Sequence, residues 1–349
     1  MNSNTLVMWY LKNARNLPWR QTTDPYKIWI SEVILQQTRV NQGIDYYFRF
    51  LERFPTVVHL ATANEEDVLK MWQGLGYYSR ARNILATAKR IFHEFNGVFP
   101  VSYEQILSLP GIGSYTAAAI VSICYKMPYP VIDGNVIRVI TRIFGIEEEA
   151  DAAPGSRKIE QALNEVFPKN TPDVFNQAIM EFGATFCTKT APKCNECIFA
   201  PECVAFAKNL VNELPAKKPK KKPITEYYYY FYLSSPSYCI VNQRTDDGIW
   251  KNMYDFLLVQ SLTEIEPDEA IDIFVKTQLN SNIELNFVPL RNIYKHQLSH
   301  KTIYARFIKV PLTDFQLKEQ IDTGICIEIE KLKNLPVPKL IENFIASEV

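Results

Sequence analysis

The chain has 349 residues, 47% of them hydrophobic and 22% charged, which is too long for one compact core and suggests two domains in an ordinary soluble protein. Its 38 basic and 38 acidic side chains cancel, so whole-chain charge gives no argument for nucleic acid, and any surface for a polyanion must be local. No apolar stretch reaches membrane-spanning length and no leader pattern opens the chain, so an intracellular protein without a membrane partner is expected.

Residues 1–210 read as helix after helix. Asp24 and Pro25 are start signals for a run at 26–40 that is rich in apolar residues and free of Gly and Pro. Helical patterns follow at 65–73, 79–95, 103–108, 114–125, 134–144, 156–166 and 172–183. Turns such as Asn96-Gly97 and Leu109-Pro110-Gly111 separate several of them. At 214–223 five lysines and three prolines share ten positions. Such a segment buries little apolar surface, which predicts an extended linker over 211–224, either a solvated tether or an arm that meets phosphate. Beyond it the period becomes two. Strands are expected at 227–233, 238–243, 256–259, 305–310 and 325–329, with a turn at Asp246-Asp247-Gly248 and a closing helix at 338–347. The whole reads as a multi-domain chain: an all-α part followed by a smaller α+β domain over 225–349.

Of seven cysteines, Cys187, Cys194, Cys197 and Cys203 crowd together at C-x6-C-x2-C-x5-C. A secreted disulfide framework would spread them in pairs, so a reduced compartment and a metal site fit better. Sulfur-only ligation suits an iron–sulfur cluster or zinc, and spacing alone does not separate them. Cys124, Cys239 and Cys326 stand alone among apolar neighbours and are expected as small core residues.

Between two predicted helices lies Leu109-Pro110-Gly111-Ile112-Gly113-Ser114. Gly111 and Gly113 allow a tight turn that brings amide N–H groups to an anion, and the helix opened by Ser114 adds its positive dipole end. By itself this pattern is also that of a plain helix connection. Downstream, Asp133-Gly134-Asn135 puts an acidic residue at the next helix start, where a simple N-cap is the bland alternative. Glu32 lies in a run that is apolar nearly all round (Ile28, Trp29, Ile30, Val33, Ile34, Leu35). Desolvation there should raise its pKa towards neutrality, whereas Asp133, expected exposed, should stay ionised. Two carboxyl groups in unlike settings are the pattern of glycosidic cleavage.

With Ser31-Glu32-Val33…Gln36-Gln37-Thr38 and Trp72-Gln73-Gly74-Leu75-Gly76-Tyr77-Tyr78-Ser79-Arg80, residues 1–210 resemble the helix-hairpin-helix, Gly-Pro-Asp superfamily of DNA glycosylases. The cysteine spacing resembles that of its iron–sulfur branch. The resemblance implies a [4Fe-4S] cluster on Cys187, Cys194, Cys197 and Cys203. It also implies a helix-hairpin-helix part at 25–130 and a cluster-bearing part from 1–24 and 131–210. Within that branch the endonuclease III type cleaves with a lysine two residues after the second hairpin glycine. This chain has Tyr115 there and no lysine until Lys126, which removes the Schiff-base nucleophile. Tyr115 together with Glu32 resembles the adenine DNA glycosylase (MutY) type.

That resemblance implies hydrolysis of adenine from duplex DNA holding 8-oxoguanine·adenine or guanine·adenine mispairs, with a monomer expected. Glu32 would protonate the base, Asp133 would stabilise the sugar cation or trap it, and Tyr115 and Asn135 would orient water and the carboxylates. Gln37, Thr38, Leu75 and Tyr77 match positions that enter the stack or contact DNA, and Gly111, Gly113 and Ser114 match the phosphate grip. Arg15, Arg20 and Glu181 match the surroundings of the adenine pocket. Residues 225–349 resemble, more faintly, a Nudix-like domain. They lack the Arg-Glu-x-x-Glu-Glu run that holds magnesium in hydrolases, Pro267-Asp268-Glu269-Ala270 being the nearest acidic stretch, so a lesion-reading module is expected. Ser299 and His300 match its reading loop, where Leu298 replaces the usual Phe. The competing readings are an endonuclease III-like pyrimidine glycosylase/lyase, against which Tyr115 argues, and a non-catalytic DNA-binding module, against which the two carboxylates argue.

Overall fold

The computed structural model describes residues 1–217, 222–279, 284–320 and 323–349, the side chains of 319 and 320 excepted. The middle of the expected linker, 218–221, lies outside the described residues. The chain divides into two compact units, Met1–Thr62 with Asn83–Pro219, and Ala63–Arg82 with Lys220–Val349.

The first unit is helical. In it α1 (Ser3–Asn13), α2 (Pro25–Leu35), α3 (Val40–Arg53) and α4 (Val57–Ala61) precede the second part of the chain. The next helix, α5 (Glu65–Trp72), and the start of α6 (Ser79–Glu94) group with the other unit. Then come α7 (Tyr103–Leu107), α8 (Ser114–Tyr125), α9 (Gly134–Phe144), α10 (Ala153–Val166), α11 (Pro172–Thr185) and α12 (Val204–Ala207). Asp24 caps α2, its carboxylate accepting from the Tyr26 N–H at 2.9 Å, as Asp24-Pro25 leads one to expect. The helix stops at Leu35 rather than running to 40: Gln36 leaves helical geometry and Gln37 takes φ +60°. No Gly or Pro marks that break. A local turn bond, Thr38 N donating to Leu35 O (3.2 Å), closes it, and a tertiary one, Gln36 Nε2 donating to Thr116 Oγ1 of α8 (3.4 Å), anchors it. Helix α8 is buried from Thr116 to Ile123, and α11 is buried at Phe175, Ala178, Ile179 and Phe182, so both cross the core of this unit.

The second unit is α+β. Its strands are β1 (Ile224–Ser234), β2 (Tyr238–Gln243), β3 (Tyr254–Asp255), β4 (Leu257–Ser261), β5 (Val288–Gln297), β6 (Lys301–Pro311) and β7 (Ile325–Glu328). The sheet runs β3-β2-β1-β6-β5, with β4 on β1 and β7 on β2, and β1 pairs with β6 in parallel from Ile224↔Lys301 to Ser234↔Pro311. Both faces of β1 are covered, which is why its sequence is a continuous aromatic run rather than an alternation. On one face Phe231 stacks on Phe274 of α13 (Pro267–Gln278) at 3.9 Å. On the other, Tyr232 and Phe307 meet Phe344 of α15 (Lys339–Glu348), Phe307 stacking on it at 4.0 Å. A short α14 (Ile329–Leu332) follows β7.

Residues 63–82, expected within the helical part, join this unit through α5. Asn252 Nδ2 donates to Glu65 (2.6 Å), Tyr254 OH to Glu66 (2.5 Å) and Lys70 Nζ to the carbonyl of Lys333 (2.6 Å). The sequence pattern missed α1, α3, α4 and α12 in the first unit and β3, α13, β5 and α14 in the second. β5 is an edge strand with hardly a buried position, so it shows no period of two, and α13 was hidden by reading Pro267-Asp268-Glu269 as acidic decoration rather than as a helix start. Of the three lone cysteines, Cys239 is buried and Cys124 half-buried, but Cys326 is exposed, because β7 pairs, among the described residues, with β2 alone.

Candidate active site

Helices α2, α8, α9 and α11 surround a cavity of about 430 Å³ in the first unit, lined by Glu32, Tyr115, Asp133, Asn135, Arg15, Arg20 and Glu181, a size that suits one nucleobase-scale ligand. Gln37 and Thr38 also line it, as do Trp19, Gln177, Met180 and Ala184, which the sequence did not single out. Residues 177, 180, 181 and 184 recur at helical spacing on α11, the one signal that could have flagged them once Glu181 was chosen.

Glu32 is 8% exposed. Burial raises its pKa to about 7, and nearby Asp133 adds to the rise, while the Tyr115 hydroxyl and Arg20 offset part of it. Tyr115 OH donates to Glu32 Oε2 at 2.6 Å and sits 3.4 Å from Met180 Sδ. Burial and the two carboxylates push the phenol upward, so it stays a donor.

Asp133 differs from expectation. It is half-buried rather than exposed, and desolvation raises its pKa, against hydrogen bonds that lower it. It does cap α9, accepting from the backbone of Asn135 (2.9 Å) and Val136 (2.8 Å), but Asn135 Nδ2 also reaches its second oxygen at 2.7 Å. Capping and a cavity-facing carboxylate therefore coexist. Asn135 is fixed in turn by Arg138, whose Nη2 donates to Asn135 Oδ1 (2.9 Å) and to Gly183 O of α11 (2.6 Å), while its Nε donates to Cys187 O (2.8 Å).

Glu181 is fully buried. Arg15 engages both its oxygens at 2.7 Å and Arg20 donates to one at 2.7 Å. Burial alone would raise Glu181, but the two guanidinium groups outweigh it and hold its pKa at about 2. The cavity thus carries one carboxyl that holds its proton near neutrality and another that stays charged.

The expected hairpin joins α7 to α8. Gly111 takes φ +71°, and a Cβ there would meet Asn83 at 2.6 Å, so the turn itself requires glycine. At Gly113 nothing lies within 4 Å of an added Cβ, and its position before Ser114 at the head of α8 lacks a side-chain cap. The first N–H groups of α8 therefore have no cap from that residue.

Cys187, Cys194, Cys197 and Cys203 line one cavity with Phe182, Phe186 and Phe206, and none is in a disulfide. Burial pushes Cys197 up to about 11, and raises Cys194 and Cys203, each further raised by its neighbours' charge. Four sulfurs lining one cavity are a donor set that suits a metal centre. Arg142 Nη1 lies 3.5 Å from Cys187 Sγ, and Phe199 N donates to Cys197 Sγ at 3.4 Å. Among the described residues no three His, Cys, Asp or Glu side chains are grouped as ligands of a single ion.

In the second unit, Ser299 and His300 sit exposed in the loop between β5 and β6, lining a cavity with Leu75, Tyr77, Trp250, His296 and Leu298. Tyr77 OH and Ser299 Oγ are 2.7 Å apart. Tyr77 is half exposed and takes φ +49°, over Arg80, whose guanidinium lies 5.6 Å from its ring. Leu75, expected to enter the base stack, is 8% exposed, so of the two it is Tyr77 that stands at the surface. No described helix is long and apolar enough to cross a membrane.

Residues 30–169 match the family described as HhH-GPD superfamily base excision DNA repair protein, and residues 229–347 match a NUDIX domain. The chain is 38% identical over 307 residues to an adenine DNA glycosylase of Buchnera aphidicola subsp. Baizongia pistaciae, covering 86% of this chain and 83% of the relative. It is 33% identical over 345 residues to the protein of that name from Buchnera aphidicola subsp. Schizaphis graminum, covering 98% and 97%. Among solved structures it is similar to a thermostable thymine-DNA glycosylase, with a TM-score of 0.55 and 28% identity over 59% of this chain and 95% of that one.

Proposed function

Since the chain belongs to the adenine DNA glycosylase family, within the HhH-GPD superfamily of base excision DNA repair proteins, we propose that it hydrolyses the N-glycosidic bond of adenine paired with 8-oxoguanine or guanine. The observation that carries this is Glu32 and Asp133 facing one cavity, the first held uncharged near neutrality and bonded to Tyr115.

An adenine swung out of the duplex enters the cavity. Glu32 gives its proton to N7 of the base, and the C1′–N9 electron pair leaves with the base. The sugar becomes an oxocarbenium-like cation, which the Asp133 carboxylate faces, whether by charge alone or by a covalent bond. Asn135 and the helix N–H groups fix that carboxylate, and Tyr115 holds Glu32. Water adds to C1′ and its proton returns to Glu32. No amine stands at position 115, which supports base removal without strand cleavage. The Arg15–Glu181–Arg20 cluster shapes the far wall. Gly111, Gly113 and Ser114 present amides to a backbone phosphate, and Ser299 and His300 read the base opposite adenine, on a domain without hydrolase activity.

The four thiols fit one [4Fe-4S] cluster. Bound there it would tie the 187–203 loop to α9 and α11 and neutralise the thiolates' mutual repulsion. The protein acts as a monomer on duplex DNA.

Base release from 8-oxoguanine·adenine, guanine·adenine and thymine-glycol duplexes, measured side by side, tests the reading. Adenine release from the first two with negligible borohydride trapping is expected. Intact 8-oxoguanine·adenine beside cleaved thymine glycol would overturn it. Iron and sulfide analysis of the purified protein tests the cluster, and zinc in their place would refute it.

A further inference from the structure

The segment joining α8 to α9 carries no regular structure, yet it ends at Asp133 and is completely buried at Val131. A buried backbone without a ladder must find hydrogen-bond partners elsewhere. Asn176, also completely buried, supplies them from α11. Val131 N donates to Asn176 Oδ1 at 3.1 Å. Asn176 Nδ2 donates to Tyr129 O at 2.8 Å and to Ser122 Oγ of α8 at 2.9 Å. The two backbone partners fix which way the amide points, because an N–H can only donate and a carbonyl can only accept. Only asparagine's short, two-sided amide meets both at that reach.

The same stripe of α11 continues the pattern at helical spacing. Met180, four residues on, touches the Tyr115 hydroxyl, and Gly183, three further, packs against Asn135 with no room for a side chain. One face of α11 therefore touches Tyr115 and Asn135 directly, and reaches the chain two residues before Asp133.

We propose that Asn176 is a positioning residue for Asp133, clamping residues 129–131 between α8 and α11 so that the carboxylate is held at the cavity. This rests on the function proposed above. Asn176 does not line the cavity and acts only through the loop it holds.

The test uses the full-length, cluster-loaded protein. Under single-turnover conditions Asn176→Ala should lower the rate constant for adenine release from an 8-oxoguanine·adenine duplex roughly 10- to 100-fold, the loss typical of a displaced reacting group, with duplex affinity unchanged. In an Asp133→Asn background the same substitution should cost nothing further, because the carboxylate it serves is already gone. A full wild-type rate in Asn176→Ala, or an equal loss in both backgrounds, overturns the proposal. Should Asn176→Ala not fold, amide exchange on the unaltered protein decides: strong protection of the Val131 N–H supports the clamp, and exchange at loop rates refutes it. If the wild-type protein releases no adenine, the functional reading fails instead, and the exchange result still judges the clamp.

Discussion

Position 32 holds a carboxyl whose folded pKa, about 7, lies above its ordinary value of 4.5, chiefly because it is buried. The folded chain therefore binds that proton more tightly than the unfolded chain does. The stability this gives is fully present below about pH 4.5 and is lost as pH rises through 7. Glu32→Gln keeps the shape and never ionises. Urea unfolding should find it more stable than wild type at pH 8 by on the order of 3 kcal/mol, with the difference vanishing near pH 4. A difference that does not change with pH would contradict a buried, titrating acid. The same equilibrium governs chemistry. Wild-type adenine release should fall as pH rises through about 7, and Glu32→Gln should lose roughly 100-fold or more in rate while still binding duplex. Burial at 32 was legible in the sequence, because apolar residues surround it on every helical face. Half-burial at 133 was not: a helix start looks exposed in one dimension, and the packing around it is set by tertiary contacts such as Gly183 of α11 against neighbouring Asn135.

Two glycines separate what an element needs for its own shape from what it offers to a partner. Gly111 must adopt φ +71° against Asn83 and serves the turn, while Gly113 has open space in front of it. Gly113→Ala should therefore leave thermal unfolding unchanged but weaken duplex binding whatever base lies opposite adenine, because phosphate contacts carry no sequence information. A fall in melting temperature with intact affinity would reverse that assignment. Gly183 is a third case. A Cβ there would stand 2.7 Å from Asn135 Cβ and 2.9 Å from Asn135 O, pressing α11 off the head of α9. Gly183→Ala should cost about 1–3 kcal/mol in stability as overpacking does, and roughly 100-fold in adenine release through misplacement of Asn135 and Asp133. Comparable activity in a folded Gly183→Ala protein would show that α9 tolerates the shift. Helix-scale features were readable where local chemistry dictates them, as at Asp24-Pro25 and in the apolar run of α8. The stop of α2 at Leu35 was not, since it goes with a bond to Thr116 of α8 and the turn at Gln37, neither of which local sequence shows. Edge strand β5 was equally silent, because a strand with little to bury has no alternation to show.

Across the whole molecule positive and negative charge balance, so the proposed preference for one mispair calls for short contacts, which the reading proposed above assigns to the second unit. There the loop after β5 brings Ser299 Oγ within 2.7 Å of the Tyr77 hydroxyl, and Tyr77 is held in a left-handed backbone above the buried Arg80. A hydroxyl at 299 can exchange that partner for the edge of an altered purine. Leu298 beside it offers contact but no aromatic face, which leaves the hydrogen bond with a larger share of the discrimination. One lost hydrogen bond is worth about 1 kcal/mol, so Ser299→Ala should lower the preference for 8-oxoguanine·adenine over guanine·adenine by about 5- to 10-fold. The guanine·adenine rate itself should stay unchanged, because the catalytic cavity lies wholly in the other unit. Rates falling equally on both duplexes would mean that Ser299 supports the fold of the loop rather than reading the lesion. Adding a ring with Leu298→Phe tests the same division from the other side: stacking should raise affinity for both duplexes while leaving the ratio set by Ser299 in place.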